Sequence, residues 1–209
     1  FTSNATFSAE ENQTAIGTVT ATDAEGDDVT FTVSGSELSI TSDGVLTFAT
    51  APDYETKTSY AATITANDGV NSTNQNITVN ITNVNDVAPE FTSAATLSGA
   101  ENQTSIGTVT ASDVEGDEIT FTISGSELEI TPSGVLTYAE APDYETVTSF
   151  EAIVTASDSI NSTTQDITVN VINENDNDPV FTSSEVLNGD ENQTAIGTIT
   201  ATDADGDDL

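Results

Sequence analysis

The chain has 209 residues and a formal net charge of −35, from one Lys or Arg against 36 Asp and Glu, with no His, Cys, Met or Trp. Lacking imidazole and thiol, it can build no zinc site of the usual kind, no Ser-His or Cys-His nucleophile, no haem ligand and no disulfide. With Lys57 as its only cation it cannot neutralise phosphates, so nucleic acid is excluded as a partner and anionic membrane surfaces repel it. What remains is oxygen-ligand chemistry, for which Asp, Glu and Asn suit hard divalent cations. No stretch approaches the roughly 18 apolar residues of a bilayer span, so membrane insertion is not expected.

High charge with few aromatics is the composition of disorder. Here, however, only 18% of residues are charged and 35% are hydrophobic, and the latter alternate in an ordered way. A first strand is expected near Ala5–Ser8. Ile16, Val19 and Ala21 make a looser strand with a bulge at Gly17. Val29-Phe31-Val33, Leu38-Ile40 and Leu46-Phe48 follow. The clearest run is Tyr60, Ala62, Ile64, Ala66, with Ala61, Thr63 and Thr65 on the other face; Ile77-Val79-Ile81 is the last. Turn residues separate these runs at Glu25-Gly26-Asp27, Ser34-Gly35-Ser36, Asp43-Gly44 and Asp68-Gly69. No window carries a helical stripe. About seven short antiparallel strands in each unit predict an all-β chain of immunoglobulin-like sandwiches.

The units repeat in tandem. Phe1-Thr2-Ser3 returns at Phe91 and Phe181, and Glu11-Asn12-Gln13-Thr14 at Glu101 and Glu191, a shift of 90 each time. Ala51-Pro52-Asp53-Tyr54-Glu55-Thr56 returns at Ala141. Two complete repeats are expected over 1–90 and 91–180, with 181–209 the truncated N-terminal part of a third, too short to bury a core alone. Within each repeat the acids collect in a few segments. Because turns alternate between the two ends of a sandwich, Asp23, Glu25 and Asp68 are expected at the top. Glu11, Asp53, Glu55 and the exit strand are expected at the bottom.

These motifs resemble those of cadherin-type repeats, most like the repeats of bacterial surface adhesins because the copies are nearly identical. The family's Glu-Asn, Asp-x-Asp, Asp-x-Glu and Asn-Asp-Asn-x-Pro-x-Phe motifs correspond to Glu11-Asn12, Asp23-Ala24-Glu25, Asp53-Tyr54-Glu55 and Asn85-Asp86-Val87-Ala88-Pro89-Glu90-Phe91. The second linker, Asn175-Asp176-Asn177-Asp178-Pro179-Val180-Phe181, matches more closely. The resemblance implies cadherin-like sandwiches and about three Ca²⁺ at each complete junction. At the first junction it assigns Glu11, Asp53, Glu55, Asp86 and the Val84 carbonyl to the lower ions. Asn85, the Val87 carbonyl, Asp113, Glu115 and Asp158 would hold the upper one. Their counterparts at the second are Glu101, Asp143, Glu145, Glu174, Asn175, Asp176, Asn177, Asp203 and Asp205. Asp23, Glu25 and Asp68 would serve the top of the first repeat. Seven carboxylates at the first junction nearly balance three doubly charged ions. Left bare, each pair about 5 Å apart repels by roughly 3 kcal/mol at an effective dielectric near 20.

There are departures from the family pattern. Tyr54 and Tyr144 stand where Arg is frequent, Glu25 and Glu115 where Asp is usual, and Val87 where Asn is usual. Without Trp, exchange of an N-terminal Trp strand is not encoded. The resulting expectation is a non-enzymatic calcium-binding spacer of a long extracellular, cell-surface adhesin, whose partners are the neighbouring repeats. The alternative is a directly adhesive module that binds identical chains or surface glycans. Paired carboxylates also serve glycosidases, but their recurrence at every linker argues for architecture rather than catalysis.

Overall fold

The computed structural model describes residues 1–208; Leu209, the end of the predicted third segment, lies outside the described residues. Every regular element among them is a β-strand. The chain divides into two compact units, Phe1–Asp86 and a second that begins at Val87.

The first unit contains β1 (Thr6–Glu10), β2 (Ala15–Thr18), β3 (Thr30–Val33), β4 (Leu38–Ile40), β5 (Val45–Phe48), β6 (Ser59–Asn67) and β7 (Ser72–Thr82). They form a four-stranded sheet in the order β1-β7-β6-β3 and a three-stranded sheet in the order β2-β5-β4. Alternation places Ile64 and Ala66 of β6 and Ile77, Val79 and Ile81 of β7 in one core with Leu38, Leu46 and Phe48 of the other sheet. The outward face of the pair β6–β7 is polar and bonded to itself: the Thr63 hydroxyl donates to Asn76 Oδ1 at 2.9 Å and that of Thr65 to Asn74 Oδ1 at 2.8 Å. The register of β2 against β5 shifts between Ala15 and Gly17, where the bulge was expected. One pairing departs from the antiparallel expectation: β1 runs parallel to β7, Thr6 opposite Thr78. The whole sandwich lies between these two strands in sequence, so no hairpin constrains their direction.

The second unit repeats this plan with β8 (Glu90–Phe91), β9 (Thr96–Ala100), β10 (Ser105–Thr108), β11 (Ala111–Ser112), β12 (Thr120–Ile123), β13 (Leu128–Ile130), β14 (Val135–Tyr138), β15 (Ser149–Ser157) and β16 (Ser162–Ile172). Its sheets run β12-β15-β16-β9 and β10-β14-β13, and β8 pairs with β11. Gly44 and Gly134 are required by position as well as by φ (92° and 89°). A Cβ there would sit 2.2 Å from the carbonyl oxygens of Val19 and Val109 respectively. A paired exchange distinguishes the two cores. Where the first has Ala9 and Phe48, the second has Gly99 and Tyr138, whose hydroxyl donates to the Gly99 carbonyl at 3.2 Å. A Cβ on Gly99 would lie 2.9 Å from the Tyr138 ring, so the missing methyl makes room for the phenol and exposes its acceptor. The chain continues into β17 (Val180–Phe181) and β18 (Ala201–Thr202), a short antiparallel pair.

Candidate metal centre

The site begins with a glutamate at the end of the first strand of each sandwich. Glu11 follows β1 and Glu101 follows β9, and their residues are only 3% and 2% exposed. Glu11 Oε2 accepts from the Tyr54 N–H at 2.7 Å and Oε1 from the Val84 N–H at 2.8 Å. Glu101 does the same with Tyr144 at 2.6 Å and Glu174 at 2.8 Å. One carboxylate therefore ties the middle acidic loop to the exit of the last strand. Such charge-assisted bonds fix its orientation. The following asparagine explains the Glu-Asn pair: Asn12 and Asn102 adopt left-handed φ values of 62° and 60°, which Asn tolerates better than most residues. Their side-chain amides donate to Asp86 Oδ2 at 2.5 Å and Asp176 Oδ2 at 2.6 Å, pinning the exit aspartate beside the glutamate.

In the first unit Glu11, Glu55 and Asp86 offer carboxylate oxygens within 4.8 Å of one another. In the second, Glu101, Glu145, Asp176 and Asp205 do so, drawing on the end of β9, the loop before β15, the exit linker and the loop after β18. Asn177 reinforces this group: its N–H donates to Asp205 Oδ2 at 2.8 Å, and its amide Nδ2 reaches Glu145 Oε2, Asp176 Oδ1 and Asp205 Oδ1 at 3.1, 2.8 and 3.0 Å. These donors hold the Asp205 carboxyl below its ordinary range, the Asn177 side chain contributing most. Glu145 moves the other way: desolvation raises its carboxyl, and the charges of Glu101 and Asp205 add to the shift.

A third group joins Asp113, Glu115 and Asp117. Asp113 Oδ1 accepts from the N–H of Glu115 and of Gly116 at 2.9 and 3.1 Å. Its Oδ2 is buried with no hydrogen-bond partner among the described residues. Asp158, 4% exposed, accepts from the N–H of Ile160 and Asn161 at 2.7 and 2.6 Å. Glu115 Oε2 also accepts from the Val87 N–H at 2.9 Å. At the top of the first unit Asp23, Glu25 and Asp68 line one cleft of about 250 Å³, as the alternation of turns leads one to expect.

Other assigned residues are placed differently. Asp53 and Asp143 fold back on their own turns: Asp53 accepts from the Thr56 N–H and hydroxyl at 3.1 and 2.9 Å, and Asp143 from the Thr146 hydroxyl at 3.1 Å. The Thr56 side chain is the main reason the Asp53 carboxyl lies below its usual range. Val84 and Glu174 take part through their N–H groups, as above. Asn85 is half-buried beside Asp86. Asp203 Oδ1 caps the Asp205 N–H at 3.0 Å, and the Asn175 amide donates to Asp207. Asp117 and Asp207 were not singled out in the sequence. The signal for them was present, since each is the third acid of the loops Asp113-Val114-Glu115-Gly116-Asp117 and Asp203-Ala204-Asp205-Gly206-Asp207.

The donor set is carboxylate and amide oxygen throughout, with a buried glutamate at the base of each of the two larger groups, half-buried and exposed acids around it, and no cationic side chain of its own. Lys57, the chain's one cation, is engaged elsewhere: it pairs with Glu37 at 2.5 Å and lies 4.2 Å over the Tyr60 ring. All-oxygen sites of this kind fit Ca²⁺ far better than a soft transition metal.

No family model matches the chain. It is similar to Cadherin EGF LAG seven-pass G-type receptor 1 of Mus musculus, with 28% identity over 179 residues, 78% of this chain and 6% of that protein. Protocadherin-like wing polarity protein stan of Drosophila melanogaster is 30% identical over 199 residues, 81% of this chain and again 6% of the relative. The chain thus spans only a small fraction of these proteins. Among solved structures, the Protocadherin gammaB7 EC3-6 cis-dimer has a TM-score of 0.72 at 25% identity, covering 97% of this chain and 60% of that one. Mouse Cadherin-23 EC22-24 has a TM-score of 0.68 at 21% identity, covering 95% and 74%. The sequence relatives are animal proteins, so what they support is the cadherin-type repeat and not a bacterial surface adhesin. Taken with the sandwich topology and the recurring Glu-Asn and linker motifs, these similarities support cadherin-like repeats in tandem as the architecture of the chain.

Proposed function

We propose that this chain is a calcium-binding spacer within a long extracellular surface protein, built of repeats 1–90 and 91–180 and the opening of a third over 181–209. The observation that carries the reading is the meeting of Glu101, Glu145, Asp176 and Asp205 within 4.8 Å. One of these acids closes the first strand of a sandwich, one lies in its middle loop, one is in its exit linker, and one belongs to the start of the next repeat. Calcium, when bound, would supply the positive charge that lets these acids share one place, and about three ions per complete junction would balance the assigned carboxylates. In the first linker the equivalent ligands are Glu11, Glu55, Asp86, Asp113, Glu115 and Asp158, with Asn85 and the carbonyls of Val84 and Val87. Asp53 and Asp143 would join from the middle loops through lone pairs that their turn threonines leave unused. Asp23, Glu25 and Asp68 would take the same part with a repeat placed before the first.

Short linkers held by shared ligands resist bending, because bending separates the oxygens from their common ion. Affinities of about 10⁻⁴–10⁻³ M suffice outside cells. In the first repeat the Thr63–Asn76 and Thr65–Asn74 bonds on the outer face of β6–β7 occupy the threonine hydroxyls, which favours a spacer over a directly adhesive face there. Near-identity of the copies favours a long uniform array, as in surface adhesins. Small-angle scattering and sedimentation with calcium and with chelator test the reading. The prediction is a monomer whose maximum dimension grows with calcium. Calcium-dependent dimers or filaments would instead support direct adhesion.

A further inference from the structure

The geometry points to Asn177 as a positioning residue that holds the second linker in place when no cation does, its side-chain amide standing where the acidic oxygens converge. The inference rests on the reading of this cluster as a calcium site and adds a role that a metal ligand does not have. Asn177 Nδ2 has three carboxylate oxygens around it: Glu145 Oε2 at 3.1 Å, Asp176 Oδ1 at 2.8 Å and Asp205 Oδ1 at 3.0 Å. These come from the second sandwich, the linker and the start of the third repeat. An amide has two N–H groups for these three acceptors, so its hydrogens are shared among anions drawn from three segments. The opposite flip would bring a fourth oxygen against the three, so the surroundings dictate which end points inward.

A polar group so placed does part of a cation's work, lowering the mutual repulsion of Glu145, Asp176 and Asp205. It also stands in a cation's way, because the amide must turn or withdraw before the same oxygens can close on a metal. Position 87, the equivalent in the first linker, is valine. Val87 keeps the backbone half of the arrangement, its N–H donating to Glu115 Oε2 at 2.9 Å as that of Asn177 does to Asp205 Oδ2 at 2.8 Å. Its side chain has no donor. At this position the two linkers therefore differ in one respect: the second sets an amide among its acids and the first sets a valine.

The test is the Asn177→Val chain, which copies the residue the first linker uses, studied by hydrogen exchange in chelator and by calcium titration calorimetry. In chelator, amides 176–178, 180–182 and 200–207 should lose protection by roughly tenfold, the scale of one charge-assisted hydrogen bond. Calcium affinity should stay the same or tighten by up to about threefold, as expected when a competitor of only part of that strength is removed. Unchanged exchange in chelator would overturn the inference. So would calcium affinity about tenfold weaker, which would make the amide a ligand rather than a stand-in. If neither chain binds calcium, the spacer reading fails, while exchange in chelator still decides the role of Asn177.

Discussion

Residues 91–112 and 181–202 have closely related sequences and reach different structures. Phe91 packs against the second core with its ring 6.3 Å from that of Phe121, whereas Phe181 is 75% exposed. Thr96–Ala100 forms a strand parallel to β16, while residues 186–190 form none. Pro89 and Glu101 are buried; Pro179 and Glu191 are exposed. Other features are common to both. Asn102 and Asn192 are left-handed at 60° and 67°. The N–H of Thr92 and of Thr182 bond the carbonyls of Thr110 and Thr200 at 2.9 and 2.8 Å. Asp113 and Asp203 cap the second residue after them at 2.9 and 3.0 Å. The common features need only short segments, whereas those confined to 91–112 rest on the strands of their own sandwich. Turn chemistry here is local; strand formation and carboxylate burial are tertiary.

The sharpest way to break this contrast is to remove the same side chain twice. Glu101→Ala strands two backbone N–H donors at a buried site, and should lower stability in chelator by about 2–5 kcal/mol by denaturant melting. Glu191→Ala should change it by less than about 0.5 kcal/mol. Equal effects would mean that the third segment is as tightly built as the second. Next in size, Gly134→Ala must displace the Val109 carbonyl and hold alanine at a φ of 89°, a cost of about 2 kcal/mol or more. Gly206→Ala also holds alanine at a left-handed φ, 83°, but meets nothing within 4 Å, so it should cost only about 1 kcal/mol, less than Gly134→Ala.

The smallest effect is one of pH. In metal-free protein, desolvation, assisted by Glu101 and Asp205, raises the Glu145 carboxyl. Between its unfolded and folded pKa values the folded chain binds the extra proton, so stability should rise as pH falls through that window. Glu145→Gln should flatten the rise. At lower pH the trend reverses, because Asp53 and Asp205 are held below their usual range and their contribution disappears once they protonate.

Much of the fold was legible because alternation is a one-dimensional signal. The runs Tyr60–Ala66 and Ile77–Ile81 became β6 and β7, with the expected residues facing inward. The parallel pairing of β1 with β7 carries no such signal, since it joins the two ends of a sandwich. The acidic motifs were legible as types and spacings. Their hydrogen bonds were not: Asp53 and Glu55 are two residues apart, yet one caps Thr56 and the other joins Glu11 and Asp86. Nor does sequence reveal that Gly99 and Tyr138 are a matched exchange, because they lie on opposing sheets.

The central claim is that acids of a sandwich, its exit linker and the following repeat share calcium. Thermal melting of the whole chain in calcium, in magnesium and in chelator tests it most directly. The account predicts a large upward shift of the midpoint with calcium, a small one with magnesium, and loss of the calcium shift in the Asp176→Asn variant. Superimposable melts in all three solutions would contradict it.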